Sequence, residues 1–241
     1  MIAGSGSVIA DVIWLMAEFK INSFSELHKV LEKYRTDKRW CFRGQSDSAW
    51  PLQPKAGRSP YNAVDDAMVF ASWKRRAVEF TTTPPESDWE WLAIAQHHGL
   101  ATRLLDWTLN PLNAAFFAAR RSKACDAIVY ALRFKYEVRS SDDPMNYPSD
   151  TAIYFPRGIV PRITRQYGLF SIQSNPETEL SPKDDGILEF DTIVIPGSAR
   201  KGLIAELSFY GINSASLFPD LDGLSEFLNW TVESGEYFHP K

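Results

Sequence analysis

An arginine at the close of an apolar run is the first residue of this 241-residue chain that could do chemistry. Trp40-Cys41-Phe42 reads as a short buried strand that runs directly into Arg43-Gly44-Gln45. A charge in such a place is too costly to leave isolated, so Arg43 is paired or it faces a cleft. An internal salt bridge to Asp106 or another acid satisfies it, and so does an anionic ligand. The planar guanidinium, with five donors, matches phosphate or carboxylate two-pronged. Gly44 is read as the end of the strand, where a missing side chain lets other groups come close to the backbone, and Gln45 extends the polar patch.

A second concentration of polar groups runs from Gln96 to Thr108, holding His97, His98, Arg103, Asp106, Trp107 and Thr108 around a turn and a strand. Adjacent histidines point in different directions on a helix, so they are not a His-x-x-x-His metal pair, and no metal is expected. Either histidine suits a general acid or base, and either also suits a plain helix C-terminus, where the dipole favours its cation. Arg103 and Asp106 can brace each other as readily as they can grip an anion. A third segment, Arg162 to Phe170, places Gln166 and Tyr167 before a glycine and a strand. Glu189 and Asp191 sit late in the chain, just ahead of Ile193-Val194-Ile195-Pro196. Glu177-Thr178-Glu179 spells the same acid-x-acid pattern but follows Asn-Pro and reads as loop.

The elements that must position these groups follow from spacing. Ser23-x-x-Glu26 is a capping box opening a helix that ends near Arg35. Trp50 to Pro60, with three prolines and a glycine, is an extended loop. Helices are predicted over 63–80 and 88–98, the latter closed by Gly99. Thr102 to Trp107 reads as a strand, and Asn110-Pro111 opens an apolar helix to Ala119. Strands are expected over 128–132, 169–172 and 187–195. Ser198 caps a helix ending at Tyr210, and a last helix starts near Leu221. The stretch 135–161 is polar and proline-rich and reads as a surface excursion. The apolar run Val8 to Phe19 carries Asp11 and Glu18, is too short to span a bilayer, and is read as a helix or strand packed on the domain. Loose alternation and short strands point to α+β, one domain over 1–241 with an N-terminal helical part (1–38) and a core (39–230) around a mixed, short-stranded sheet flanked by helices.

The content is 44% hydrophobic, enough for a substantial core, and the formal net charge of -4 leaves no overall basic footprint for a nucleic-acid backbone. The two cysteines, Cys41 and Cys125, lie in or beside apolar runs, which fits reduced thiols and a cytoplasmic setting. No membrane partner is expected.

Taken together, Phe42-Arg43-Gly44, the block Gln96 to Thr108 with Asn110-Pro111, Gln166-Tyr167-Gly168, and Leu217-Phe218-Pro219-Asp220-Leu221 resemble the FRG domain family. The likeness runs from about Trp40 to Leu228. The order of parts is also similar, more remotely, to the ADP-ribosyltransferase superfamily. That likeness implies NAD as the cofactor, Arg43 as its anchor, Asp106-Trp107-Thr108 as the pocket strand, and Trp107 or Tyr167 as the flanking ring. Gln166, or alternatively Glu189 with Asp191, would be the late polar residue. A glutamine in place of the usual acid removes a negative charge from an oxocarbenium-like transition state. The implied activities are an NAD-consuming transferase or glycohydrolase, as in a toxin or phage-defence effector acting on a protein or nucleic acid. Two further readings stand beside it: a non-catalytic module gripping a nucleotide-like anion with Arg43, Arg103 and His98, and a metal-independent nuclease using His97 or His98.

Overall fold

A computed structural model describes residues 16–121, 124–139, 141–148, 151–158 and 160–236. Among these residues seven strands form one mixed sheet: β1 (Glu18–Lys20), β2 (Trp40–Gln45), β3 (Leu105–Thr108), β4 (Ala127–Phe134), β5 (Ala152–Tyr154), β6 (Gly168–Ile172) and β7 (Ile187–Ile195). Their order is β1-β7-β4-β2-β3-β6-β5. The edge pair β1–β7 is parallel and the other neighbours are antiparallel. Among the described residues eight helices flank the sheet: α1 (Phe24–Leu31), α2 (Asp66–Ala77), α3 (Asp88–His97), α4 (Pro111–Ala119), α5 (Pro161–Arg165), α6 (Arg200–Phe209), α7 (Ser214–Leu217) and α8 (Leu221–Ser234). The fold is α+β, as the patterning indicates.

The central strands are covered on both faces, which is why they read as unbroken apolar runs. Phe42, Val129, Ala131, Ile193 and Ile195 pack with residues of α1, α4, α6 and α7. Cys41, Tyr130, Leu132 and Phe190 face the opposite way, against Leu52 and Leu180. A third cluster gathers Trp89, Trp91 and Leu92 of α3 with Tyr154, Phe170 and Ile172.

Helix α4 rests directly on β2, and Gly44 is the reason it can. A Cβ there would lie 1.9 Å from the carbonyl oxygen of Ala114 and 2.6 Å from the amide nitrogen of Ala118. Small residues on the helix and none on the strand let two backbones touch. The Asn110 side chain starts the helix by accepting from the Leu112 amide at 3.0 Å, with Pro111 in the first turn.

Several expectations shift. Gly44 permits the close approach but does not end the strand, because β2 continues to Gln45 against β4. β3 begins at Leu105 rather than Thr102, since the Thr102 hydroxyl donates to Gln96 Oε1 at 2.6 Å and accepts from the Leu104 amide at 3.2 Å. Local side-chain bonds of this kind hold the backbone away from a ladder. Ala199, not Ser198, precedes α6, after a 3-10 turn over Gly197–Ala199. The segment 135–161 is not confined to the surface: it contributes buried β5, and Tyr147 packs against Trp89. The N-terminal part supplies edge strand β1 as well as α1, while residues 8–15 lie outside the described residues.

Candidate functional site

The sheet opens where β2 meets β3. These two strands share the single register pair Phe42↔Thr108, whereas β2 pairs with β4 along its whole length. The separating ends frame a cleft of about 420 Å³, with Arg43, Gly44 and Gln45 on one side and Asp106, Trp107 and Thr108 on the other. Phe117, Arg120 and Arg121 follow from α4, Arg162 and Gln166 from α5 and its end, and Trp50 and Arg58 from the proline-rich loop.

Arg43 answers both halves of the sequence reading. Its Nη1 donates to the Asp106 backbone carbonyl at 2.7 Å and lies 3.6 Å from Asp106 Oδ2. Its Nε is buried with no partner among the described residues. Burial pulls the guanidinium below its usual pKa, and the Asp106 charge only partly offsets that. Asp106 itself points outward, its side chain 61% exposed. Gln96 Nε2 donates to Asp106 Oδ2 at 3.0 Å while Gln96 Oε1 accepts from Thr102, so the carboxylate is held by an oriented amide.

The cleft is strongly cationic. Five arginines line it (43, 58, 120, 121 and 162), and Asp106 is the one carboxylate among its described lining residues. At two of the arginines a neighbouring guanidinium adds to the effect of burial. Arg58 is pushed down by burial and then by the charge of Arg43. Arg162 is pushed down by burial, with Arg120 adding to the effect and Asp220 opposing it. His97 is lowered by burial first, then by His98 and Arg162, against Asp106 and Asp220. Arg162 and Arg120 both stack on the Phe218 ring, at 4.1 and 4.7 Å from its centroid. Glu226 accepts from Arg120 at 2.7 and 2.9 Å. Gln45 is 4% exposed, yet its Oε1 has no partner among the described residues.

The remaining candidates divide between scaffold and distant surface. Thr108 Oγ1 donates to the Gln166 carbonyl at 2.6 Å, Asn113 Nδ2 donates to the same oxygen at 3.1 Å, and Gln166 Nε2 donates to the Leu217 carbonyl at 3.1 Å. Gln166 therefore lines the cleft while tying β3, α4 and α7 together. The Trp107 indole is buried and donates to Ser171 Oγ at 2.9 Å. Tyr167, 60% exposed and with φ of 51°, is not among the cleft residues.

Arg103 braces Asp66 rather than Asp106, with Nε–Oδ2 at 2.8 Å and Nη2–Oδ1 at 2.6 Å, and its Nη1 reaches the Met145 carbonyl at 2.7 Å. It is a buried tie between α2 and the segment before β5. His98 turns onto a separate apolar groove, leaving His97 as the cleft histidine. Their rings meet edge to face at 4.9 Å. Glu189 is bound to Arg133 at 3.1 Å, and Asp191 is fully buried, accepting from Lys33 at 2.5 Å, Tyr34 at 3.1 Å and the Ala17 amide at 2.7 Å. Both belong to the attachment of the N-terminal part to β7. Arg58, Arg120 and Arg121 were not singled out from sequence, because nothing local separates them from ordinary surface arginines. Arg162 stood in a noted segment, and its place beside Phe218 was the missing information.

Residues 38–127 match the family model of the FRG domain. The match takes in β2, α2, α3, β3 and α4, hence Arg43, Gly44, Arg58, His97, Asp106, Arg120 and Arg121, and stops before Arg162 and Gln166. No curated protein and no solved structure matches the chain. Among the described residues no three of His, Cys, Asp and Glu converge as a metal-binding group, and no helix is long and apolar enough to cross a membrane.

Proposed function

We propose that the cleft of this FRG domain protein binds a phosphate-bearing nucleotide, with Arg43 as its central anchor. The observation that carries this reading is the excess of cationic groups: five arginines against one carboxylate, with the Arg43 charge adding to burial in lowering Arg58 and the Arg120 charge adding to burial in lowering Arg162. An anion entering the cleft relieves that repulsion and supplies partners for guanidinium donors such as the buried Arg43 Nε. Aromatic surface for a base is at hand in Trp50 and Phe117. Titrating the protein with nucleoside mono- and diphosphates by calorimetry tests the proposal. Saturable binding that weakens with salt supports it, and heat of dilution alone would remove it.

A second reading, cleavage of NAD, is favoured by the placement of Asp106. Its exposed carboxylate, held by Gln96 beside Arg43, is the group positioned to steady positive charge on a ribose as the nicotinamide C–N bond breaks. Gln166 and Glu189 are engaged elsewhere, at Leu217 and Arg133. In that reaction nicotinamide departs and water or an acceptor's nucleophile bonds to the ribose carbon. Asp106→Asn then abolishes nicotinamide release from labelled NAD while leaving nucleotide affinity within about threefold, the scale expected if the ground state is bound chiefly by the arginines. Equal loss of both, or no release by the wild type, would rule this reading out.

A further inference from the structure

The oxygen of one buried amide on the cleft wall is left unused by the fold. Gln45 lines the cleft and is 4% exposed, yet its Oε1 accepts no hydrogen bond from any described residue. Buried side-chain oxygens are nearly always paired, and an acceptor stripped of water without a partner costs stability. Arg43 Nε, two residues back along β2, is orphaned in the same way. Asn113 Oδ1 is also unpaired, but Asn113 is outside the cleft lining and its Nδ2 is committed to the Gln166 carbonyl. One strand of the cleft therefore carries a donor and an acceptor that are both buried and both unsatisfied.

Strand alternation fixes which wall they share. Phe42 packs with α1 and α4, and the Gly44 backbone touches α4. Arg43 and Gln45 alternate with them and so point to the other face of the sheet. Their register partners on β4, Tyr130 and Ile128, belong to the cluster that also holds Leu52 of the proline-rich loop. Trp50 and Arg58 come from that same loop and line the cleft. Trp50 is 39% exposed, and Arg58 Nε donates to the Gln53 carbonyl at 2.8 Å. Phe117 rides on α4, on the opposite face, so Trp50 is the ring that accompanies Gln45.

We infer that Gln45 selects the base of the nucleotide whose phosphate Arg43 holds, and that the base is adenine. The inference rests on the nucleotide reading of the cleft and deepens it. A carboxamide offers an acceptor and a donor next to each other, the complement of adenine's N6 amine and N7. Guanine and hypoxanthine carry an oxygen at position 6 and would set acceptor against acceptor at Oε1. Residues two apart on a strand are separated by about 7 Å, which leaves room for the sugar between a phosphate at Arg43 and a base at Gln45. The Trp50 ring supplies a stacking face. Stacking is indifferent to base identity, so discrimination falls to the Gln45 amide.

The test titrates the full chain by calorimetry with pyrophosphate, adenosine diphosphate and inosine diphosphate, in the last of which an oxygen replaces the N6 amine. Adenosine diphosphate binds about tenfold more tightly than inosine diphosphate, the worth of one hydrogen bond to a buried acceptor. Gln45→Leu keeps the side-chain size and removes the amide, which brings the ratio of the two affinities to about one. A structural role for Gln45 would weaken both nucleotides alike and leave that ratio in place. Equal binding of the two nucleotides by the wild type, or a Gln45→Leu protein that keeps the preference, overturns the inference, while binding of pyrophosphate leaves the anion site standing. Failure of every ligand to bind overturns the nucleotide reading and the inference with it. The comparison of two ligands on the wild type needs no variant, so it decides even if Gln45→Leu does not fold.

Discussion

Replacing Gly44 with alanine tests whether the contact between α4 and β2 is as close as described. The added Cβ would sit 1.9 Å from Ala114 O and 2.6 Å from Ala118 N, where ordinary contact begins at 3.4 Å. Relief needs about 1.5 Å of movement between two backbones that no side-chain rotation can supply, and overpacking of this kind costs about 1–3 kcal/mol, occasionally more. The upper end applies here, because both obstructing atoms belong to helix backbone beneath a sheet. With a urea dependence of about 2 kcal/mol per molar, a loss of ~3 kcal/mol lowers the unfolding midpoint by roughly 1.5 M. Phe117, Arg120 and Arg121 ride on α4 or directly after it, so nucleotide affinity should fall along with stability. Gly202→Ala is the internal control: nothing lies within 4 Å of its Cβ position in α6, and alanine there should stabilise by about 0.5–1 kcal/mol. A Gly44→Ala midpoint equal to that of the wild type would refute the reasoning.

Three further outcomes are expected. Arg103→Leu should cost about 3–5 kcal/mol in urea unfolding, because Asp66 is left as an uncompensated, largely buried charge; nucleotide affinity of the folded variant should be unchanged, and a large loss would return Arg103 to the site. The His97 imidazole should titrate below the usual value of about 6.5 when followed by NMR. Since its folded-state pKa is depressed, its contribution to stability is fully present above the unfolded value and is lost as pH falls through the folded value. Phosphate in the cleft should raise that pKa, and no movement on ligand addition would place the anion elsewhere. Arg43→Ala should leave stability within about 1 kcal/mol, because removal of a desolvated guanidinium offsets the lost bond to Asp106; a collapse of stability would make Arg43 structural.

How much was legible beforehand follows from the range of each interaction. β7 was readable to the residue and the start of α8 was readable near Leu221, since both rest on local signals. That Arg43 is paired or faces a cleft was also readable, because a charge at the end of an apolar run has few physical solutions. Its partner was half readable: Asp106 is close, but through its backbone carbonyl more than its carboxylate. What sequence could not show was long-range. Arg103 lies beside Asp106 in the chain yet pairs with Asp66, because α2 packs above it. Adjacent His97 and His98 face different cavities, and only the rotation of α3 decides which. Leu217-Phe218-Pro219-Asp220 carried only the family resemblance, with no contact legible. It proves to carry the ring that supports Arg120 and Arg162, and the carbonyl that holds Gln166. Short elements such as β5 and α7 have too few residues for periodicity to register.

The central claim is that Arg43 anchors a nucleotide phosphate, and calorimetric titration of the wild type and of Arg43→Ala with adenosine diphosphate measures it most directly. One or two charge-assisted hydrogen bonds lost at about 1.5–3 kcal/mol predict an affinity weakened roughly 10- to 150-fold. Arg43→Lys should recover only part of it, because the charge remains and the two-pronged geometry does not. A variant lacking the guanidinium that binds as tightly as the wild type would contradict the claim.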